Sequence, residues 1–192
     1  MLKLILIRTG ETEYECQGRV QGTLDIPLSE DGRQQVEQVA SELRDTQIDA
    51  CYAGPCRATQ QSAEILAEEL KLKSKTIDDL RNLDHGLWQG MLINDVKLKQ
   101  PKVYRQWQEH PETVCPPEGE SLQVVRDRLQ RALAKIAKKH KTGTAAIVVA
   151  EPVTSLLKNA LRDDELGNLW EPHDDHSRAW ELIEVSPAAV SV

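Results

Sequence analysis

Three short stretches carry the residues whose types and spacing could do chemistry. The first is Arg8-Thr9-Gly10-Glu11-Thr12, with Glu15 three residues beyond it. The second is Gly54-Pro55-Cys56-Arg57-Ala58-Thr59-Gln60, and the third is Glu151-Pro152-Val153. Two arginines arriving from separate strand ends suit a phosphate or carboxylate ligand, because the guanidinium fork matches such oxygens two at a time. Arg8 and Arg57 also read as partners in structural ion pairs. Thr9 offers a hydroxyl, a poor nucleophile at neutral pH unless a base stands beside it.

Strand and helix signals alternate around these stretches. Residues 2–7 are a Leu/Ile-rich run that ends in Arg-Thr-Gly, a buried strand feeding a loop. A helix starts at Ser29 with Val36, Val39, Ala40 and Leu43 on one stripe. Residues 48–53 form a second strand, 59–70 a helix, and 74–77 a third strand. From 86 to 117 the pattern breaks up among prolines and glutamines around Trp88, Tyr104 and Trp107, which reads as an inserted cap of short helices. Residues 120–139 repeat Leu122, Val125, Leu129, Leu133 and Ile136 at the helical period. Residues 145–150 are a strand buried on both faces, 154–161 a helix and 179–185 a last strand. This alternation predicts one α/β domain over residues 1–192, a three-layer α/β/α sandwich with a mostly parallel sheet. In such a sheet the working loops leave the carboxyl ends of the strands. Arg8, Arg57, Glu15 and Glu151 should therefore meet at one pocket.

Composition narrows the partners. The 192 residues carry 24 basic and 31 acidic side chains, a net charge of −7, which argues against non-specific nucleic-acid binding. No apolar run exceeds seven residues, so no membrane span is expected, and early charges at Lys3 and Arg8 argue against a secretory signal. Cys16, Cys51, Cys56 and Cys115 form no Cys-x-x-Cys pair, which fits reduced thiols in a cytoplasm. No cofactor or metal is expected. Oligomeric state stays open, a dimer included.

In its motifs the chain resembles the histidine phosphatase superfamily, also called phosphoglycerate mutase-like, along almost its entire length. Arg8-Thr9-Gly10-Glu11-Thr12 stands for Arg-His-Gly-Glu-Thr, followed by Gly18-Arg19-Val20-Gln21-Gly22 and Pro27-Leu28-Ser29-Glu30-Asp31-Gly32. Gly54-Pro55-Cys56-Arg57-Ala58-Thr59-Gln60-Gln61-Ser62-Ala63 is similar to the Ser-Pro-x-x-Arg-Ala-x-Gln-Thr-Ala motif. Leu80 to Gly90 matches the Leu-x-Glu-x-x-x-Gly-x-Trp-Glu-Gly motif, and Pro117-Glu118-Gly119-Glu120-Ser121 matches Pro-x-Gly-Glu-Ser.

The resemblance implies a phosphoryl-transfer pocket, and the departures from it bear on function. The family's nucleophilic histidine falls on Thr9, and its second histidine, which contacts phosphoryl oxygens, falls on Glu151. The glutamate that protonates the leaving group falls on Asn82, and the phosphate-touching asparagine on Glu15. Only Arg8 and Arg57 keep the family's residue type. The expectation is a degenerate member without phosphoryl transfer, serving an unknown protein or small-molecule ligand in a binding or regulatory role. A weakly active or rearranged-site phosphomonoester hydrolase or mutase is the alternative. A third reading is a pocket for a zwitterionic or cationic small molecule.

Two acids set beside two arginines predict a self-neutralised pocket. Glu15 or Glu151 should hydrogen-bond Arg8 and Arg57, and both acids should have lowered pKa values. Ordinary structural roles are expected elsewhere. The basic run Arg126, Arg128, Arg131, Lys135, Lys138, Lys139 and Lys141 reads as a solvated helix face. His173 and His176, three apart in an acidic loop, are weak evidence for metal, and Trp88 reads as a packing residue.

Overall fold

In the computed structural model, residues 1–162, 166, 169, 170 and 179–185 are described. Strand β1 (Leu2–Arg8) sends Leu4 and Leu6 into one hydrophobic cluster and Ile5 and Ile7 into another. Successive side chains on a strand alternate faces, so the unbroken apolar run from Leu4 to Ile7 must be covered on both sides. The other strands of the sheet are β2 (Ala50–Ala53), β3 (Ser74–Thr76), β4 (Gly143–Val149) and β5 (Trp180–Glu184), in the order β3-β2-β4-β1-β5. The pairs β1–β4, β2–β4 and β2–β3 are parallel, and β5 runs antiparallel to β1. The sheet is mostly parallel, as the strand–helix alternation predicts.

Helices cover both faces. On one side lie α2 (Glu30–Glu42) and α3 (Arg57–Glu69), burying Val36, Val39, Ala63 and Leu66 against Ile5, Ile7 and Val148. On the other lie α6 (Leu122–Lys139) and α7 (Val153–Arg162), with Val125, Leu129, Leu133 and Leu156 against Leu4, Leu6 and Ile147. Each such buried aliphatic side chain contributes about 1.5–3 kcal/mol over leaving it in water. Ser29 caps α2, its Oγ accepting from Gly32 N at 3.0 Å. Ser121 caps α6 in the same way, so the helix begins at Leu122 rather than at 120. The stretch 86–117 contains α4 (Ile93–Lys99) and α5 (Pro101–Glu109), whose Val96 and Trp107 pack into the α6 side of the core. Trp88 is 2% exposed and packs in that same cluster, as a packing residue should.

Two local features were not anticipated. A four-residue helix, α1 (Glu13–Cys16), follows the first loop, closed by a capping box between Thr12 and Glu15. Arg128 also overturns the expectation of a solvated face: it is 0% exposed, lying on the stripe of Val125, Leu129 and Ala132. No helix among the described residues is long and apolar enough to cross a membrane.

Candidate functional site

The parallel register brings the carboxyl ends of β1 and β4 side by side, Arg8 opposite Val149, with Thr9 N donating to Val149 O at 2.9 Å. The loops beyond these ends enclose a cleft of about 170 Å³. Arg8, Thr9, Glu15, Asn82 and Glu151 all line it, so the structure brings together five of the six residues singled out from sequence. Arg57 is the sixth and does not join them. It is the first residue of α3, exposed, with its backbone N donating to Asp25 Oδ1 at 2.8 Å. In its place the cleft holds Arg19 and Glu11, together with His85, Leu169 and Trp170.

Backbone packing fixes the first loop. A Cβ on Gly10 would run into the carbonyl oxygen of Gly32, so the loop and the start of α2 approach as closely as glycine allows. Thr9 is 5% exposed, and its Oγ1 lies 2.8 Å from Ser62 Oγ on α3. Ser62 Oγ donates to Ala58 O at 2.8 Å, leaving its lone pairs to accept from Thr9 Oγ1 and from Gly10 N at 3.3 Å. The hydroxyl proton of Thr9 is therefore directed at another hydroxyl.

Asn82 is 3% exposed and held at both ends of its amide: Nδ2 donates to Gly22 O at 3.0 Å, and Oδ1 accepts from Leu83 N at 2.9 Å. Its loop is gripped from behind. Arg128 Nη1 donates to Asp79 O at 2.9 Å and Arg81 O at 2.6 Å, and Nη2 to Asn82 O at 3.1 Å. The charge is met by Glu120, whose Oε1 and Oε2 accept from Nη2 at 2.6 Å and Nε at 3.3 Å. Such a two-point carboxylate contact fixes the guanidinium plane.

The expected self-neutralisation is corrected by the geometry. Among the described residues no ion pair joins Arg8 or Arg57 to Glu15 or Glu151. Each acid serves its own helix start instead, where orphan N–H groups attract carboxylates. Glu15 Oε2 accepts from Thr12 N at 2.9 Å, and Glu151 Oε2 accepts from Ser155 Oγ at 2.9 Å and Ser155 N at 3.3 Å. The pKa of Glu15 is raised, not lowered. Crowding around its carboxyl removes water from the charge, and this outweighs the hydrogen bonds from Thr12 and the pull of Arg8. Glu15 as a whole residue is nevertheless exposed.

The two cleft arginines differ. Arg19 Nε donates to Gln17 Oε1 at 2.9 Å, and Nη1 donates to Gly90 O at 2.7 Å. The guanidinium of Arg8 makes no hydrogen bond or ion pair with any described residue and is only half-buried. His85 is 2% exposed, 5.6 Å from Trp107 and 5.8 Å from Trp170 between ring centroids. Its Nδ1 has no hydrogen-bond partner, and burial pushes its pKa down to about 3, so the ring is neutral at pH 7. The Cys51 thiol is pushed up to about 12 by burial, and Cys56 is raised as well, so neither is primed for nucleophilic chemistry. His173 and His176 lie outside the described residues. Among the described residues no cluster of His, Cys, Asp or Glu is placed to hold a metal ion.

Sequence reasoning missed Arg19, Glu11, His85, Leu169 and Trp170 as cleft residues. Arg19 and His85 do sit inside quoted motifs, beside Gly18 and Gly86, whose positive φ turns the backbone there.

The three-layer α/β/α sandwich, with its cleft where the first and fourth strands end, matches solved structures of the phosphoglycerate mutase-like fold. A family model for the histidine phosphatase superfamily (branch 1) matches residues 4–189, and the chain belongs to that superfamily. Phosphoserine phosphatase 1 of Hydrogenobacter thermophilus is 36% identical over 170 residues, spanning 88% of this chain and 81% of the relative. Among solved structures, Bacillus stearothermophilus YhfR superposes with a TM-score of 0.86 at 27% identity, covering 97% of this chain and 93% of that one. A mycobacterial glucosyl-3-phosphoglycerate phosphatase in complex with VO3 gives 0.82 at 26% identity, covering 94% and 91%.

Proposed function

We propose that this chain is a binding member of the superfamily in which phosphoryl transfer has been lost. The observation that carries the reading is the joint occupancy of the cleft by Thr9, Asn82 and Glu151. The Thr9 hydroxyl abuts Ser62, which is no base, and no described residue hydrogen-bonds Thr9 Oγ1 as a base. Asn82 has no acidic proton, and a poor leaving group would depart as an alkoxide. In a serine protease, loss of the nucleophile alone costs on the order of a million-fold in kcat. Glu151 puts a carboxylate on the cleft wall, which offers phosphoryl oxygens no hydrogen-bond donor when ionised.

The rival reading is a weakly active phosphomonoester hydrolase or mutase with a rearranged site. It draws on the relatives named as phosphatases and on the uncommitted guanidinium of Arg8. Hydrolysis of p-nitrophenyl phosphate and O-phospho-L-serine separates the two. The binding reading expects no release above blank and no phosphoenzyme. Turnover that scales with protein concentration and vanishes in Arg8→Ala overturns it.

A further inference from the structure

We propose that the open edge of the sheet at β3 is a docking site for an acidic peptide segment, bound as an added strand with its carboxylates on a cluster of lysines. None of the residues involved lines the cleft, so the proposal stands apart from the reading of that site.

The backbone offers the template. Strand β3 ends the sheet order, pairs with β2 alone, and is exposed at Ser74, Lys75 and Thr76. Ile77 N turns inward to Ala53 O at 2.9 Å, and backbone polar groups alternate sides along a strand. The N–H and C=O groups of Ser74 and Thr76 therefore point outward. Such a row can take another strand, which main-chain hydrogen bonds hold and side chains select.

Charge selects which strand. Residues 71–75 and 135–141 hold seven of the chain's 24 basic side chains and no acid, although the whole chain carries −7. The two segments meet in space. Tyr52 stands opposite Lys75 in the β2–β3 register, and its hydroxyl lies 2.7 Å from Nε2 of His140, at the end of α6. The side chains of Lys139 and Lys75 touch, and this contact with a like charge lowers the Lys139 pKa. Lys135 is paired with Asp79. Lys71, Lys73, Lys75, Lys138, Lys139 and Lys141 are exposed, and none forms an ion pair with a described residue. Among flanking acids, Glu69 is taken by Arg44 and Asp78 by Arg81.

Lysines along an edge also keep neutral strands away. That role accounts for Lys71, Lys73 and Lys75. It does not account for Lys139, pressed from a helix against Lys75, a contact that is repulsive until an anion joins it. A second copy of the chain would bring the same lysines to the edge and be repelled. A nucleic acid would meet the ammonium groups but could not continue the ladder. An acidic strand answers both features at once.

Fluorescence anisotropy of a labelled peptide of alternating glutamate and threonine, titrated with the full chain at low ionic strength, tests this. The peptide should bind saturably, about tenfold or more tighter than its glutamine-for-glutamate counterpart or an oligothymidylate of equal length. Thr76→Pro keeps every lysine and removes one outward N–H, a change that edge strands tolerate. Lys75→Glu combined with Lys139→Glu keeps the backbone and reverses the charge. Each should weaken binding by about tenfold or more, with Ser74→Pro replacing the Thr76 variant if that one melts early. Equal binding of the glutamine peptide, unchanged binding by a folded proline variant, tighter binding of oligothymidylate, or no saturation up to millimolar chain overturns the proposal. Self-association of the chain alone that Lys75→Glu abolishes overturns it too, because the edge would then belong to a second copy.

Discussion

Thr9 Oγ1 and Ser62 Oγ lie 2.8 Å apart, a buried hydroxyl pair that ties the loop after β1 to the middle of α3. Ser62 also receives Gly10 N and passes its own proton to Ala58 O, so it is the hub of this contact. Ser62→Ala strands two buried donors at once, whereas Thr9→Val removes one donor and leaves the hub intact. Urea unfolding should show Ser62→Ala costing about 1–3 kcal/mol and Thr9→Val less than about 1.5 kcal/mol. Equal costs, or a larger cost for Thr9→Val, would show that the hydroxyl pair does not organise the loop.

A second prediction follows from the preserved scaffold. Thr9→His, Glu15→Asn, Asn82→Glu and Glu151→His together restore the family's residues at the four departed positions. The quadruple variant should hydrolyse p-nitrophenyl phosphate detectably, and Thr9→His alone should recover little, because such groups act as a unit. Full recovery by the single change would make the other three departures bystanders. A folded quadruple variant with no rate would mean that the retained frame no longer places these atoms within the roughly 1 Å that catalysis needs.

Much of this frame is legible in the sequence, and the reasons for the gaps are physical. Long periodic segments such as α6 and doubly buried strands such as β4 announce themselves, because burial on a fixed face dictates residue type every turn or every strand residue. Helix α1 is too short for any period, although Thr12-Glu13-Tyr14-Glu15 is a capping box in plain view. Arg128 follows the other rule: spaced three after Val125 and four before Ala132, it belongs to the buried stripe, and its charge alone suggested solvent. Side-chain direction is what the pattern lacks. Arg57 follows a strand end as expected, yet α3 begins at that residue and leaves it exposed. Glu15 and Glu151 reach the cleft but satisfy N–H groups at their own helix starts.

Arg128 makes a third prediction. Its guanidinium holds three backbone carbonyls and both oxygens of Glu120, which is itself 11% exposed. Removing one partner of a buried pair leaves the other uncompensated, at a cost of about 3–5 kcal/mol. Arg128→Met should lose that much in urea unfolding, while Glu120→Gln, which keeps an acceptor, should lose less. A loss below about 1 kcal/mol in Arg128→Met would mean that the carbonyls of residues 79, 81 and 82 find other donors.

The last prediction concerns acid. Burial pushes the pKa of His85 from 6.5 down to about 3, so between these values the unfolded chain binds a proton that the folded chain refuses. The contribution of the neutral ring is therefore complete above pH 6.5 and is lost progressively as pH falls toward 3. At about 1.36 kcal/mol per pKa unit the loss reaches roughly 5 kcal/mol, a large share of a typical domain's stability. His85→Phe keeps a ring between Trp107 and Trp170 and sacrifices no hydrogen bond at Nδ1, which has none. Urea unfolding at pH 7 should place the variant within about 1.5 kcal/mol of the wild type. At pH 4 the variant should be the more stable by about 3 kcal/mol, which is the size of the avoided protonation there. Carboxylates titrating elsewhere cancel in the difference between the two proteins. Parallel stability curves from pH 7 to pH 4 would show that His85 takes up its proton in the folded state as readily as in the unfolded one.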